Sequence, residues 1–212
     1  MRPTELDSAL FDRIRDGISP RDWSGVTVAE LAAAAGVSRM TLHRRGITKA
    51  DVLEQLGLRL QDEHRAALVD VLSAVGPARE RLRAALEALC AVDERYLGVL
   101  SALAGQLDAV YHDPGAPEEP VLTRAGFTDG LRRLLEDGRI DGTVLTEDPE
   151  LTATLLFNAV GHSYRHMRTG HHWSPEDARR RVVDLVLNGL PEGPATERTR
   201  RAGDRVSKRS QA

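Results

Sequence analysis

The chain has 212 residues, 41% hydrophobic and 29% charged, with a formal net charge of −3; that is enough apolar material for one or two folded domains, and it excludes a protein that attracts polyanions by bulk charge. No apolar run approaches the roughly 20 residues of a membrane span, and the start MRPTELDSALFDR lacks an apolar signal-peptide core, so a soluble, cytoplasmic chain with no membrane partner is expected. The single cysteine, Cys90, excludes an intramolecular disulfide and a CxxC metal knuckle, and within RAALEALCAV it reads as a small buried apolar residue.

Helix formers dominate, and apolar residues recur three and four apart, as in Val52, Leu53, Leu56, Leu60 and then Ala67, Leu68, Val71, Leu72. Helices are predicted in chain order near 5–18, 27–35, 38–45, 48–75, 78–92, 94–112, 120–138, 149–169 and 175–189. Start signals support several of them. Thr27 and Glu30 form a capping box, while Asp148 and Ser174 each precede a proline suited to the first helical turn. HDPGAPEEP, at 112–120, reads as a loop. From Pro191 the basic tail lacks apolar periodicity and is expected to be disordered and solvated.

Residues 37–49, VSRMTLHRRGITK, carry Arg39, Arg44, Arg45 and Lys49 with no acidic residue, inside an acidic chain. The preceding TVAELAAAA gives a short helix with Val28, Leu31, Ala32 and Ala35 on one face. Gly36 tolerates positive φ, and Ser38 caps a second short helix. Small alanines allow close approach, and Val37, Met40 or Thr41, and Leu42 can hold the second helix against the first. This is a helix-turn-helix layout, with Arg39, His43, Arg44 and Arg45 on the remaining face. Charge alone would also describe a solvated face; the turn spacing points to the major groove, where arginine pairs with guanine and helix N-termini bind phosphate.

Residues 26–56, VTVAELAAAAGVSRMTLHRRGITKADVLEQL, resemble the TetR family of bacterial transcription regulators. They follow its threonine-started helix, A-x-x-x-GVS turn, short recognition helix and lysine opening the fourth helix. Trp23 falls near the family's usual aromatic, and DPELTATLLFNAVGHSYRH through LVLNGL looks like its regulatory domain. The chain departs from the pattern where His43 replaces tyrosine and Gly46 replaces phenylalanine, with Ile47 supplying apolar volume, and where Pro20 cuts the first helix early. The resemblance implies an all-α fold: a helix-turn-helix DNA-binding domain of three helices at 1–47, a larger helical regulatory and dimerisation domain at 48–190, and the tail at 191–212. It also implies a homodimer on a palindromic double-stranded DNA operator, released by a small-molecule effector, with no prosthetic group.

The candidate DNA contacts are Thr27, Ser38, Arg39, Met40, Thr41, His43, Arg44, Arg45, Thr48 and Lys49. Lys49 is expected to touch phosphate, since an ammonium is a point charge. Polar or aromatic groups in otherwise apolar faces, namely Tyr96, Gln106, Tyr111, Phe127, Asn158, His162, Tyr164 and His166, are the candidate lining of a mostly apolar effector pocket. In the last two long helices, Leu151, Leu155 and Ala159 form one stripe beside Leu156 and Val160, and Val182 and Val186 form another beside Val183 and Leu187; Leu151, Leu155, Ala159, Val182, Val183 and Val186 are the candidate dimer interface. Two stripes exceed the needs of one core, so one is expected to pair with a second chain.

No GxGxxG, GxxxxGK[ST] or GxSxG motif and no carboxylate pair placed for acid–base work is present, so an enzyme is not expected. Two alternatives stay open: a helical DNA-binding or adaptor protein without a small-molecule effector, and a metal sensor using His162 and His166, four apart on one helix with His171 and His172 following.

Overall fold

The computed structural model describes residues 8–18, 23–103 and 124–189. Pro20, Gln106, Tyr111, the loop expected at 112–120 and the tail from 191 lie outside the described residues. The elements are α1 (Ser8–Ile18), a short 3-10 turn (Trp23–Gly25), α2 (Val28–Ala35), α3 (Arg39–Arg44), α4 (Lys49–Ser73), α5 (Ala78–Glu94), α6 (97–103), α7 (Arg124–Asp141), α8 (Pro149–Thr169) and α9 (Pro175–Asn188). The fold is all-helical, and no helix is long and apolar enough to cross a membrane among the described residues.

The caps act where the sequence places them. The Glu30 amide donates to Thr27 Oγ1 at 3.3 Å, and the Thr27 amide donates to the Glu30 carboxylate at 2.9 Å. Ser38 Oγ accepts from the Thr41 amide at 3.1 Å, Asp148 from Leu151 at 3.0 Å, and Ser174 from Asp177 at 3.1 Å. Each such N-cap contributes about 1 kcal/mol.

Two cores follow one another along α4. The first gathers Leu10, Phe11 and Ile14 of α1 with Trp23, Leu31, Ala35, Leu42 and Ile47, then Val52, Leu56 and Leu60 of α4. Val92, Tyr96, Val99, Leu103 and Phe127 close it, and the Arg15 guanidinium of α1 lies 5.5 Å from the centre of the Tyr96 ring. The second packs Leu68 with Leu82, Leu86 and Leu89 of α5, Leu131, Leu134 and Leu135 of α7, and Ala153, Tyr164, Ala178 and Val183 of α8 and α9. Full burial of one leucine contributes about 1.5–3 kcal/mol. Cys90 is buried in this second core, and burial, with the Asp93 carboxylate nearby, pushes its thiol pKa up.

Candidate nucleic-acid interface and effector cavity

α2 and α3 end by the same device. Gly36 adopts φ 72°, its amide donates to Ala33 O at 3.0 Å, and the Val37 amide donates to Ala32 O at 2.9 Å. Gly46 adopts φ 66°, its amide donates to His43 O at 3.0 Å, and the Ile47 amide donates to Leu42 O at 3.1 Å. Both are Schellman stops in which glycine takes the left-handed position and the following β-branched residue packs back on the helix. The glycine that stands in place of the family's phenylalanine is therefore required by the backbone, and Ile47, 8% exposed, carries the packing. Arg13 Nε also donates to Ala35 O at 3.2 Å, tying α1 to the end of α2.

These stops fix which face of α3 is covered. Leu42 is buried, Val37 and Thr41 are half-buried, and Arg39, His43, Arg44 and Arg45 are exposed with no side-chain partner among the described residues. Met40 is 60% exposed, so it turns outward and Leu42 alone anchors the helix. The hydroxyls of Thr27, Ser38 and Thr48 are committed to caps; Thr48 accepts from the Asp51 amide at 3.2 Å and donates to its carboxylate at 2.7 Å. Lys49, the expected phosphate contact, also has a role within the fold. Its ammonium donates to Trp23 O at 2.7 Å and lies 5.1 Å from the centre of the Trp23 ring, holding the turn before α2 onto the start of α4.

The described candidate effector residues stand in different surroundings. Tyr96 Oη donates to Glu63 Oε1 at 2.5 Å and Tyr164 Oη donates to Glu94 Oε2 at 2.6 Å, so both hydroxyls are spent inside the fold. Burial, and then the neighbouring carboxylate, pushes each phenol pKa up. Asn158, His162 and His166 are exposed. Arg165 donates to His162 Nδ1 at 2.8 Å, and His166 stacks edge-on against His171 at 5.0 Å. No group of three or more His, Cys, Asp or Glu side chains able to hold a metal occurs among the described residues. Of the eight expected residues, Phe127 lines a cavity of about 410 Å³ between α4 and α7, with Leu68, Leu72, Gly126 and Gly130 and with Arg65, Asp129, Arg132 and Arg133 at its rim.

Beside that cavity lies a group that the sequence reading missed. His64 is 2% exposed, and its Nε2 stands 2.8 Å from Asp93 Oδ1. The signal was legible as a histidine within the buried stripe Leu56, Leu60, His64, Leu68. Its neighbour Glu63 faces the other way, accepting from Arg15 of α1 at 2.9 Å, from Tyr96 and from Arg95. Burial would lift the Glu63 carboxyl, but those donors hold it below its ordinary value.

The candidate dimer face divides in two. Leu151, Leu155 and Ala159 are exposed, as is Leu185, with Leu151 at 54%, Leu155 at 60% and Leu185 at 54%. Val182 and Val183, expected at the interface, are instead buried in the second core, and Val186 is half-buried. The reason is helical phase: α9 turns Ala178, Val182 and Val183 toward α5 and α8, which leaves Leu185 on the outside.

Residues 75–190 match the family model described as tetracyclin repressor-like, C-terminal domain. The HTH-type transcriptional regulator AlkX of Mycobacterium tuberculosis is 35% identical over 57 residues, 27% of each chain. The HTH-type transcriptional repressor LfrR of Mycolicibacterium smegmatis is 27% identical over 203 residues, covering 92% of this chain and 98% of LfrR. The structure of the fatty acid degradation regulator FadR from Bacillus halodurans superposes with a TM-score of 0.67 at 20% identity, over 91% of this chain and 100% of that one. With its helix-turn-helix and this match over more than half its length, the chain belongs to the TetR family of DNA-binding transcription regulators.

Proposed function

We propose that the protein is a homodimeric cytoplasmic repressor that reads a palindromic operator with two copies of α3 and leaves it when a small, mostly apolar effector binds. The observation that carries this reading is the outer face of α3, where Arg39, Met40, His43, Arg44 and Arg45 project without partners among the described residues. A six-residue helix spans few base pairs. Two copies about a two-fold axis read a palindrome whose half-sites lie about 34–36 Å apart. The exposed leucines 151, 155 and 185 supply an apolar face for the second copy.

Repression follows the role of the relative LfrR, a transcriptional repressor, and an apolar effector accords with the fatty acid degradation named for FadR. The transmitting part is α4. It carries one wall of the cavity, and its Glu63 and Arg59 grip Arg15 and Asp12 of α1 at 2.9 and 3.0 Å. An effector that prefers one tilt of α4 moves the helix-turn-helix with it; one that binds both tilts equally shifts nothing.

The test is to sequence genomic fragments retained by the purified protein. A shared inverted repeat with half-sites one turn apart is expected upstream of genes. Retention without a common repeat, or a single unrepeated half-site, overturns the dimeric reading.

A further inference from the structure

We propose that Nδ1 of His64 is the polar anchor of the effector, and that the effector is a slender, mostly apolar molecule carrying one neutral hydrogen-bond donor, such as a phenol or an alcohol. This rests on the effector-release reading above. Asp93 is buried, and its carboxylate accepts at 2.8 Å from His64 Nε2, which places the ring proton on that side. In the neutral ring Nδ1 is then a lone-pair acceptor. It is wholly buried and has no partner among the described residues.

Buried polar atoms in folded proteins are almost always paired, so an orphan acceptor marks a place where a partner arrives. What surrounds it is apolar: Phe127 and Phe157 stand edge-on to the imidazole, with centroids 5.8 and 5.9 Å away. Phe127 is also part of the wall of the α4–α7 cavity of about 410 Å³, so the ring that packs edge-on to His64 borders that space. That volume suits a small ligand, and Leu68 and Leu72 give it an apolar side. A molecule lying in the cavity reaches Nδ1 when the Phe127 ring turns aside.

At the rim, Arg65 already donates to Asp62 and Gln61, and Arg132 to Asp129 and Glu136, while Arg133 is exposed with no side-chain partner among the described residues. The donor is selected at the buried end, at Nδ1 of His64.

The experiment titrates the full chain with 4-hexylphenol and with 4-hexylanisole, which differ only in methylation of the oxygen, by calorimetry. The wild-type protein is expected to bind the phenol about tenfold tighter, the margin of one well-made hydrogen bond. In His64→Gln the side-chain amide still reaches Asp93 while the acceptor at Nδ1 is lost, so the two probes should bind alike. A nitrogen NMR measurement on the wild-type protein guards against a misfolded variant: the His64 Nδ1 resonance should move with the phenol and stay with the anisole. Equal binding of both probes by the wild type, or a preference that survives in His64→Gln, overturns the anchor and leaves the cavity standing. Failure of both probes to bind overturns the anchor and the cavity together, whereas the operator result stands or falls separately.

Discussion

Arg15 of α1 and Glu63 of α4 meet at 2.9 Å, and the same carboxyl oxygen accepts from the Tyr96 hydroxyl, so one carboxylate joins the helix-turn-helix to the junction of α5 and α6. Its donors hold Glu63 below its ordinary value of 4.5. A carboxylate depressed in the folded state stabilises it above the unfolded value, and that contribution is lost as pH falls through the lower folded value. Glu63→Gln is therefore expected to cost on the order of 1.5–3 kcal/mol at neutral pH and to flatten the loss of stability below about pH 4.5. Urea midpoints measured across pH check both; an acid limb as steep as wild type contradicts the role of Glu63.

The Arg44 and Arg45 side chains are exposed with no polar partner among the described residues, so replacing both with alanine should leave the melting temperature unchanged. Operator affinity should fall, by about 1–3 kcal/mol for an arginine that pairs with a base, with a flatter salt dependence for one that meets phosphate. Fluorescence anisotropy at several salt concentrations measures the two effects separately. Unchanged affinity at every salt concentration removes α3 from the interface.

Lys49→Ala gives the opposite pattern. Its ammonium is bound to Trp23 O and lies against the Trp23 ring, so the expected result is a loss of about 1.5–3 kcal/mol in stability. Tryptophan fluorescence during urea unfolding reports it. A change in DNA salt slope without a change in stability would return Lys49 to the phosphate backbone.

At φ 66° a side chain on residue 46 is strained whatever room surrounds it. Gly46→Ala is expected to cost roughly 1–2 kcal/mol, and to weaken operator binding as well, because the end of α3 is re-aimed. A variant with wild-type stability and affinity would show that the stop is dispensable.

Leu155 is 60% exposed, at the middle of the outward stripe of α8. Leu155→Asp should convert a sedimenting species of about twice 23.2 kDa into one of 23.2 kDa and abolish tight operator binding, with the recognition helix intact. A wild-type protein that sediments as a monomer and still binds a palindrome tightly contradicts the dimeric architecture.

The helices and their caps were legible because apolar spacing and cap chemistry are local: Thr27 with Glu30, Ser38 and Ser174 fall on their own helix starts. The phase of α9 was harder, since Val182 and Val183 look alike in sequence to Val186 and Leu187 and only packing against α5 and α8 decides which are enclosed. The buried polar pairs were the least legible. Tyr96 with Glu63, Tyr164 with Glu94 and His64 with Asp93 lie 33, 70 and 29 positions apart, and no local pattern links such partners. Tyr96 and Tyr164 read in sequence as polar groups on apolar faces, and only the fold shows Glu63 and Glu94 accepting from their hydroxyls.

The paired glycine stops at Gly36 and Gly46 have an evolutionary consequence. They clamp α3 from outside its own six residues, through Ser38 before it and Ile47 after it, and only Leu42 within it is needed inside. Arg39, Met40, His43, Arg44 and Arg45 therefore behave as an interchangeable type-face set in a fixed frame. Under the proposed reading of DNA by α3, lineages descended from this protein can rewrite those five letters, and with them the genes they address, while the folding of the molecule stays under separate inheritance.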